Sequence, residues 1–177
     1  MSETTARHKA EAPQTLSFAV IICSASRYKE FSETGQLNDP SGDLIVEALR
    51  ENGHRVTMRR VVSDDKTQIQ HVLMRALKSR KTDVIILSGG TGISPQDVTI
   101  EAVKPLLDKE IPGFGEIFRM LSYEKIGSAA LLTRALAGVA RGKAVFCLPG
   151  SPQSVSLALE KLIIPEAGHI IKHAREG

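Results

Sequence analysis

From Leu16 onward, short apolar runs alternate with stretches in which apolar residues recur every three or four positions. "LSFAVIICS" (Leu16–Ser24) predicts a strand whose nearly continuous apolar character calls for cover on both faces. A long polar loop follows it. "SGDLIVEALREN" then sets Leu44, Ile45, Ala48 and Leu49 on one helical stripe, and "GHRVTMRRVV" predicts a second strand towards a sheet edge. "DKTQIQHVLMRALKSR" spaces Ile69, Val72, Leu73, Ala76 and Leu77 as the apolar face of an amphipathic helix, and "DVIILS" predicts a buried third strand. Beyond Asp97, "TIEAVKPLL" and "FGEIFRMLSYEKIG" read as helices. "ALLTRALAGVARGKAVFCLPG" fits either a helix or a hairpin turning at Arg141-Gly142, and the stretch from Pro152 is helical.

Strands alternating with helices predict β-α-β units, hence an α/β fold: a single three-layer domain with a mainly parallel sheet covered by helices on both faces. The 177 residues suffice for one domain with a substantial core. The first 14 are polar and mixed in charge and are expected to form a flexible tail, leaving 15–177 as the domain. Hydrophobic residues at 42% and charged ones at 24% fit a soluble globular protein. A net charge of +3 helps attract a small anion but lacks the clustering that argues for nucleic acid. Cys23 and Cys147 each lie inside a strand-like run, which fits a reducing cytoplasm. No apolar leader or membrane-length run opens the sequence, so no membrane partner is expected.

In an open parallel sheet, ligands sit outside the carboxyl ends of the strands. Four loops leave such ends: "CSASR", "VSDDK", "SGGTGISPQD" and "LPGSPQS". If the strands are parallel, Ser24, Asp64, Gly89 to Asp97 and Pro149 to Pro152 become neighbours. Each loop also has a plainer reading. Ser94-Pro95-Gln96-Asp97 is a helix start with Ser94 as N-cap, Asp64 can cap the helix that begins near Asp65, and Ser151-Pro152 can cap the last helix.

Caps do not require Gly89, Gly90 and Gly92 around Thr91, and such glycines let a phosphate or a flat ring approach the backbone. The loop matches neither of the common nucleotide-binding glycine motifs. A carboxylate beside phosphate repels it unless a divalent cation lies between, and Mg²⁺ is usually held by one or two carboxylates plus substrate phosphates. Asp64 and Asp97 are the candidate pair, and the chemistry implied is Mg²⁺-assisted phosphoryl or nucleotidyl transfer.

"GGTGISPQDVTIEAV", "NDPSGDLIVEAL", "VSDD" and "PGFGEIFRMLSYEKIGSAALLTRALAGVARGKAVFCLPGSP", in this order, resemble the MoaB/Mog family of molybdenum cofactor biosynthesis proteins. The resemblance runs from about Leu16 to the C-terminus, and "FGEIFRMLSYEKIG" is closer to the MoaB branch. It implies a molybdopterin-binding fold assembled as a homotrimer or as a hexamer of two trimers. It also implies a role in molybdenum or tungsten cofactor synthesis, with hand-over to the metal-insertion protein of the pathway. The implied reaction is Mg²⁺-dependent adenylylation of molybdopterin by ATP, yielding pyrophosphate; the alternative is a molybdopterin-binding carrier without catalysis.

By the same resemblance, Asp64 and Asp97 are the catalytic, metal-associated acids. Gly89, Gly90, Thr91 and Gly92, with Ser24, Asp39, Ser41 and Gly42, belong to the nucleotide side. Thr133 and Pro149, Gly150, Ser151 and Pro152 belong to the pterin side. Three departures from the family pattern are visible: Thr133 replaces a serine, "CSASR" lacks an aspartate after its serine, and "PGSP" replaces "PGNP". Glu116 and Arg119 read as a surface or interface pair. His169 and His173 read as part of a solvated helix end, and His8 lies in the tail, so the histidines suggest no zinc site.

Overall fold

The run at Leu16–Ser24 forms β1 (Ser17–Cys23), which pairs in parallel with β2 (Arg55–Val62) on one side and β3 (Val84–Ser88) on the other. A computed structural model describes residues 12–176. β6 (Lys143–Leu148) joins β3 in parallel, and β5 (Leu136–Ala140) and β4 (Lys109–Glu110) follow as antiparallel neighbours, giving the sheet order β2-β1-β3-β6-β5-β4. β2 is the edge strand its partly polar sequence predicts. The open choice at 130–142 resolves as a hairpin. Arg141 and Gly142 take φ of 53° and 69°, the left-handed pair that a two-residue hairpin turn requires, and Arg141 N donates to Asp108 Oδ2 at 2.7 Å.

Strand alternation divides the apolar residues between two cores. Phe18, Val20, Ile22, Val84, Ile86 and Phe146 face one side, covered by α2 (Pro40–Glu51), α5 (Pro112–Ile126), α6 (Pro152–Ala158) and α7 (Ile164–Arg175). Ala19, Ile21, Ile85, Leu87 and Val145 face the other, covered by α3 (Lys66–Lys78) and α4 (Thr99–Val103). The three-layer α/β domain is therefore the observed fold. Ile69, Leu73, Ala76 and Leu77 are buried from α3 as its spacing predicts, and Val72 packs at the margin.

Three local features differ from the sequence expectation. The polar loop after β1 contains α1 (Ala25–Thr34), a helix that buries no residue. It is held by its caps, Ser24 and a left-handed Gly35. The C-terminal helical stretch is interrupted by a π turn at Leu159–Ile163, where Ile164 N donates to Leu159 O. Pro165 next to it has no N–H to continue the ordinary ladder. The expected tail falls largely on residues 1–11, outside the described residues; of the remainder, Pro13 O stands 2.7 Å from an ideal Cβ at Gly168, so this part lies against α7.

Candidate functional site

β1, β2, β3 and β6 run parallel, so their carboxyl ends share one edge and the loops leaving them meet there. Ser24 N donates to Val62 O at 2.9 Å and Gly89 N to Leu148 O at 3.0 Å, joining the first loop to the second and the third to the last. The Ser41 hydroxyl donates to Gly150 O at 2.7 Å, and the Ser88 hydroxyl to Pro149 O at 3.4 Å. The "DPSG" segment at the start of α2 is thereby tied to "PGSP" at the start of α6.

Gly89 and Gly90 have φ of 103° and 60°. A Cβ on Gly89 would stand 2.2 Å from the Cys23 carbonyl oxygen. On Gly90 it would stand 2.5 Å from Thr99 Oγ1 and 2.9 Å from Asp64 Oδ1, and on Gly92 2.7 Å from Asp97 Oδ2. Glycines in such a loop are expected to leave space for a ligand. The fold fills it with the end of β1, a hydroxyl and the two carboxylates, so glycine is what lets Asp64 and Asp97 close on the loop backbone, one at Gly90 and the other at Gly92.

Asp64 is half-buried, and its Oδ2 accepts from Ala25 N at 2.8 Å, at the positive end of α1. Its Oδ1 is buried without a donor, and Thr99 Oγ1, facing the same glycine, is also buried without a partner. The helix cap expected of Asp64 comes instead from Asp65, whose Oδ1 accepts from Gln68 N at 2.8 Å. Asp97 Oδ2 accepts from Ser94 N at 2.9 Å, and Ser94 Oγ from Gln96 N at 3.3 Å. These are the reciprocal bonds of a helix start, yet they close a single turn, and α4 begins only at Thr99. Beneath the loop, burial pushes the Cys23 thiol up to about 12, with the charge of Asp64 adding to it, so Cys23 stays protonated and inert.

The other candidates divide by what already engages them. Asp39 is fully buried as the N-cap of α2: its Oδ1 accepts from Gly42 N at 3.0 Å and its Oδ2 from Arg59 Nη2 at 2.9 Å. Ser24 caps α1 from a half-buried position, its Oγ accepting from Arg27 N at 3.4 Å. Exposed Ser151 caps α6 and donates to Ser154 Oγ at 2.8 Å. Pro152 borders a groove of about 740 Å³ that also runs past Leu44, Ser122, Lys125 and Lys161. Thr133 closes a short 3-10 turn at Gly127–Leu132, its N donating to Ala130 O at 3.0 Å.

Arg134, which the sequence reading missed, reaches back across the fold. Its Nε donates to Thr91 O at 2.9 Å and its Nη2 to Asp97 O at 3.5 Å, while its guanidinium forks onto Glu101 at 2.7 and 3.2 Å. This pairing holds the Glu101 carboxyl below the usual glutamate range. Glu101 and Arg134 are 33 residues apart, and no local pattern marks them as partners.

Residues 19–169 match the family model described as "Probable molybdopterin binding domain". The chain belongs to this molybdopterin-binding domain family. It is 47% identical over 170 residues to molybdenum cofactor biosynthesis protein B of Bacillus subtilis, covering 96% of each chain. It is also 47% identical over 173 residues to molybdopterin adenylyltransferase of Pyrococcus furiosus, covering 96% of this chain and 97% of that one. The crystal structure of the tungsten cofactor synthesizing protein MoaB from Pyrococcus furiosus matches with a TM-score of 0.83 at 46% identity, over 93% of this chain and 100% of that one. In this molybdopterin-binding domain, the edge where the four loops meet is the place an open α/β sheet offers a ligand. Among the described residues, no helix is long and apolar enough to cross a membrane.

Proposed function

We propose that this protein is a molybdopterin adenylyltransferase acting in molybdenum or tungsten cofactor biosynthesis. Relatives from Pyrococcus furiosus and Methanocaldococcus jannaschii, 47% and 38% identical, carry the names molybdopterin adenylyltransferase and probable molybdopterin adenylyltransferase. In the reaction, an oxygen of the pterin's terminal phosphate bonds to the α-phosphorus of ATP. The bond from that phosphorus to the β-phosphate oxygen breaks, and pyrophosphate leaves with the electron pair.

The observation that carries this reading is the Asp64 carboxylate, fixed at the start of α1 with one oxygen buried and unpaired against the glycine-rich loop. A carboxylate oxygen without a donor is a fitting ligand for a hard cation. The residues present thus suit Mg²⁺, with Asp64 and Asp97 as its protein ligands and substrate phosphates and water supplying the rest. When bound, the ion neutralises charge on the phosphates.

The protein's own part is positioning. Ser24, Ser41, Gly42 and the Gly89–Gly92 backbone serve the nucleotide, with Asp39 acting from beneath by holding the turn at Ser41-Gly42. Thr133 and Pro149 to Pro152 serve the pterin, and Arg134 holds Thr91 and Asp97 in register between the halves.

Exposed Met120, Tyr123, Ile126, Leu131 and Leu132 present apolar surface on α5 and the turn after it, which supports assembly as a homotrimer or a hexamer. Hand-over of the adenylylated pterin to the metal-insertion protein would follow. The deciding experiment gives pure protein molybdopterin and MgATP, and the expected products are pyrophosphate and adenylyl-molybdopterin. Tight pterin binding without product, with Mn²⁺ as well as Mg²⁺, would make it a carrier instead.

A further inference from the structure

The last helix carries a side-chain cluster that adenylylation does not use. His169 and His173 stand one turn apart on α7, and their Nε2 atoms face each other at 3.0 Å. Their Nδ1 atoms lie against carboxylates: His169 Nδ1 is 3.1 Å from Glu166 Oε2, and His173 Nδ1 is 2.7 Å from Glu176 Oε2. An ionised carboxylate only accepts, so the bonds to Glu166 and Glu176 are made by the Nδ1–H tautomer, which leaves a lone pair on each Nε2. Two such nitrogens this close can share a proton or bind one metal ion. A carboxylate behind each imidazole is also the outer support that fixes ring orientation and raises basicity in metal-ligating histidines.

We propose that His169 and His173 chelate a borderline divalent ion of the Zn²⁺, Ni²⁺ or Cu²⁺ class, separately from the magnesium pair at the strand ends. The 3.0 Å span fits one ion on both rings, since two metal–nitrogen bonds of about 2.0–2.1 Å at roughly a right angle span about 2.9 Å. Imidazole selects such ions, whereas Mg²⁺ prefers oxygen. The His169 side chain is 24% exposed and that of His173 47%, so an ion can enter from solvent. Among the described residues, no group of three or more His, Cys, Asp or Glu is placed to hold one ion, so water completes the shell. The chelate would lock the last turns of α7, whose Arg175 is anchored to Asp83 at 2.6 Å and to Gly142 O at 3.1 Å.

The inference is independent of the adenylyltransferase reading and is tested without turnover. Full-length protein in Mg²⁺-containing buffer is titrated with Zn²⁺ and with Ni²⁺ by calorimetry, and its melting temperature is followed in parallel. The expected result is one ion per chain and a raised melting temperature. His169→Gln and His173→Gln, which keep side-chain size and helicity, should each weaken uptake at least tenfold, and Glu166→Gln or Glu176→Gln roughly 10–100-fold through loss of ring support. His8→Ala should change nothing. No uptake, or uptake unchanged in the His169→Gln/His173→Gln double variant, overturns the proposal; the first result would mean that a shared proton alone joins the rings.

Discussion

Replacing Asp64 by asparagine separates the two jobs of its carboxylate. The bond from Ala25 N to Oδ2, 2.8 Å long, survives because the amide carbonyl also accepts. What is lost is the charge at the start of α1, worth about 0.3–1 kcal/mol. Stability should therefore fall by no more than about 1 kcal/mol, or about 2–4 °C in melting temperature for a chain of this size. Turnover should fall about 10²–10³-fold, the usual cost of removing one group that stabilises developing charge. Scanning calorimetry paired with pyrophosphate release per folded molecule reads both quantities. A melting temperature lowered by roughly 10 °C or more with unchanged specific turnover would refute the reasoning, because Asp64 would then be a structural cap and nothing else.

Other substitutions test neighbouring links. Gly89→Ala drives a Cβ to 2.2 Å from the Cys23 carbonyl at a φ of 103°, so it should lose several-fold more turnover than a surface glycine variant such as Gly113→Ala and shift the amide signals at the end of β1. Arg134→Lys keeps a charge near Glu101 but cannot fork; turnover should drop about tenfold with melting nearly unchanged, and equal KM and kcat to the parent would remove Arg134 from loop positioning. Asp39→Ala strips a buried cap and the partner of Arg59, so about 2 kcal/mol of stability should go, measurable by urea unfolding. His54, lowered by burial and accepting from Leu16 N at 3.3 Å, is neutral in the fold. Because its folded pKa lies below the unfolded one, its contribution is complete above about pH 6.5 and is lost as pH falls towards the folded value. His54→Gln should flatten the stability slope below pH 6.5, and an unaltered slope would exclude His54 as its source.

Hydrophobic periodicity determined the class of fold, because only strands buried on both faces read as "AVIIC" and "VIILS", and only helices covering them repeat as α3 does. It placed four loops at one edge only on the condition of parallel strands, and the pairing of β2, β1, β3 and β6 meets that condition. The helix α1 escaped because its residues are mostly polar and none of them is buried, so its composition reads as a loop. Whether 130–142 turned as a hairpin was decided by Asp108 and the neighbouring strands, not by local pattern. The same division runs through the site. Its acids and glycines stood out one by one, but their assignments depended on atoms distant in sequence: the Cys23 carbonyl against Gly89, Arg59 on Asp39, and Arg134 on Thr91. Side-chain chemistry is written residue by residue, whereas burial and hydrogen-bond satisfaction belong to pairs, and pairs this far apart exist only once the chain has closed on itself.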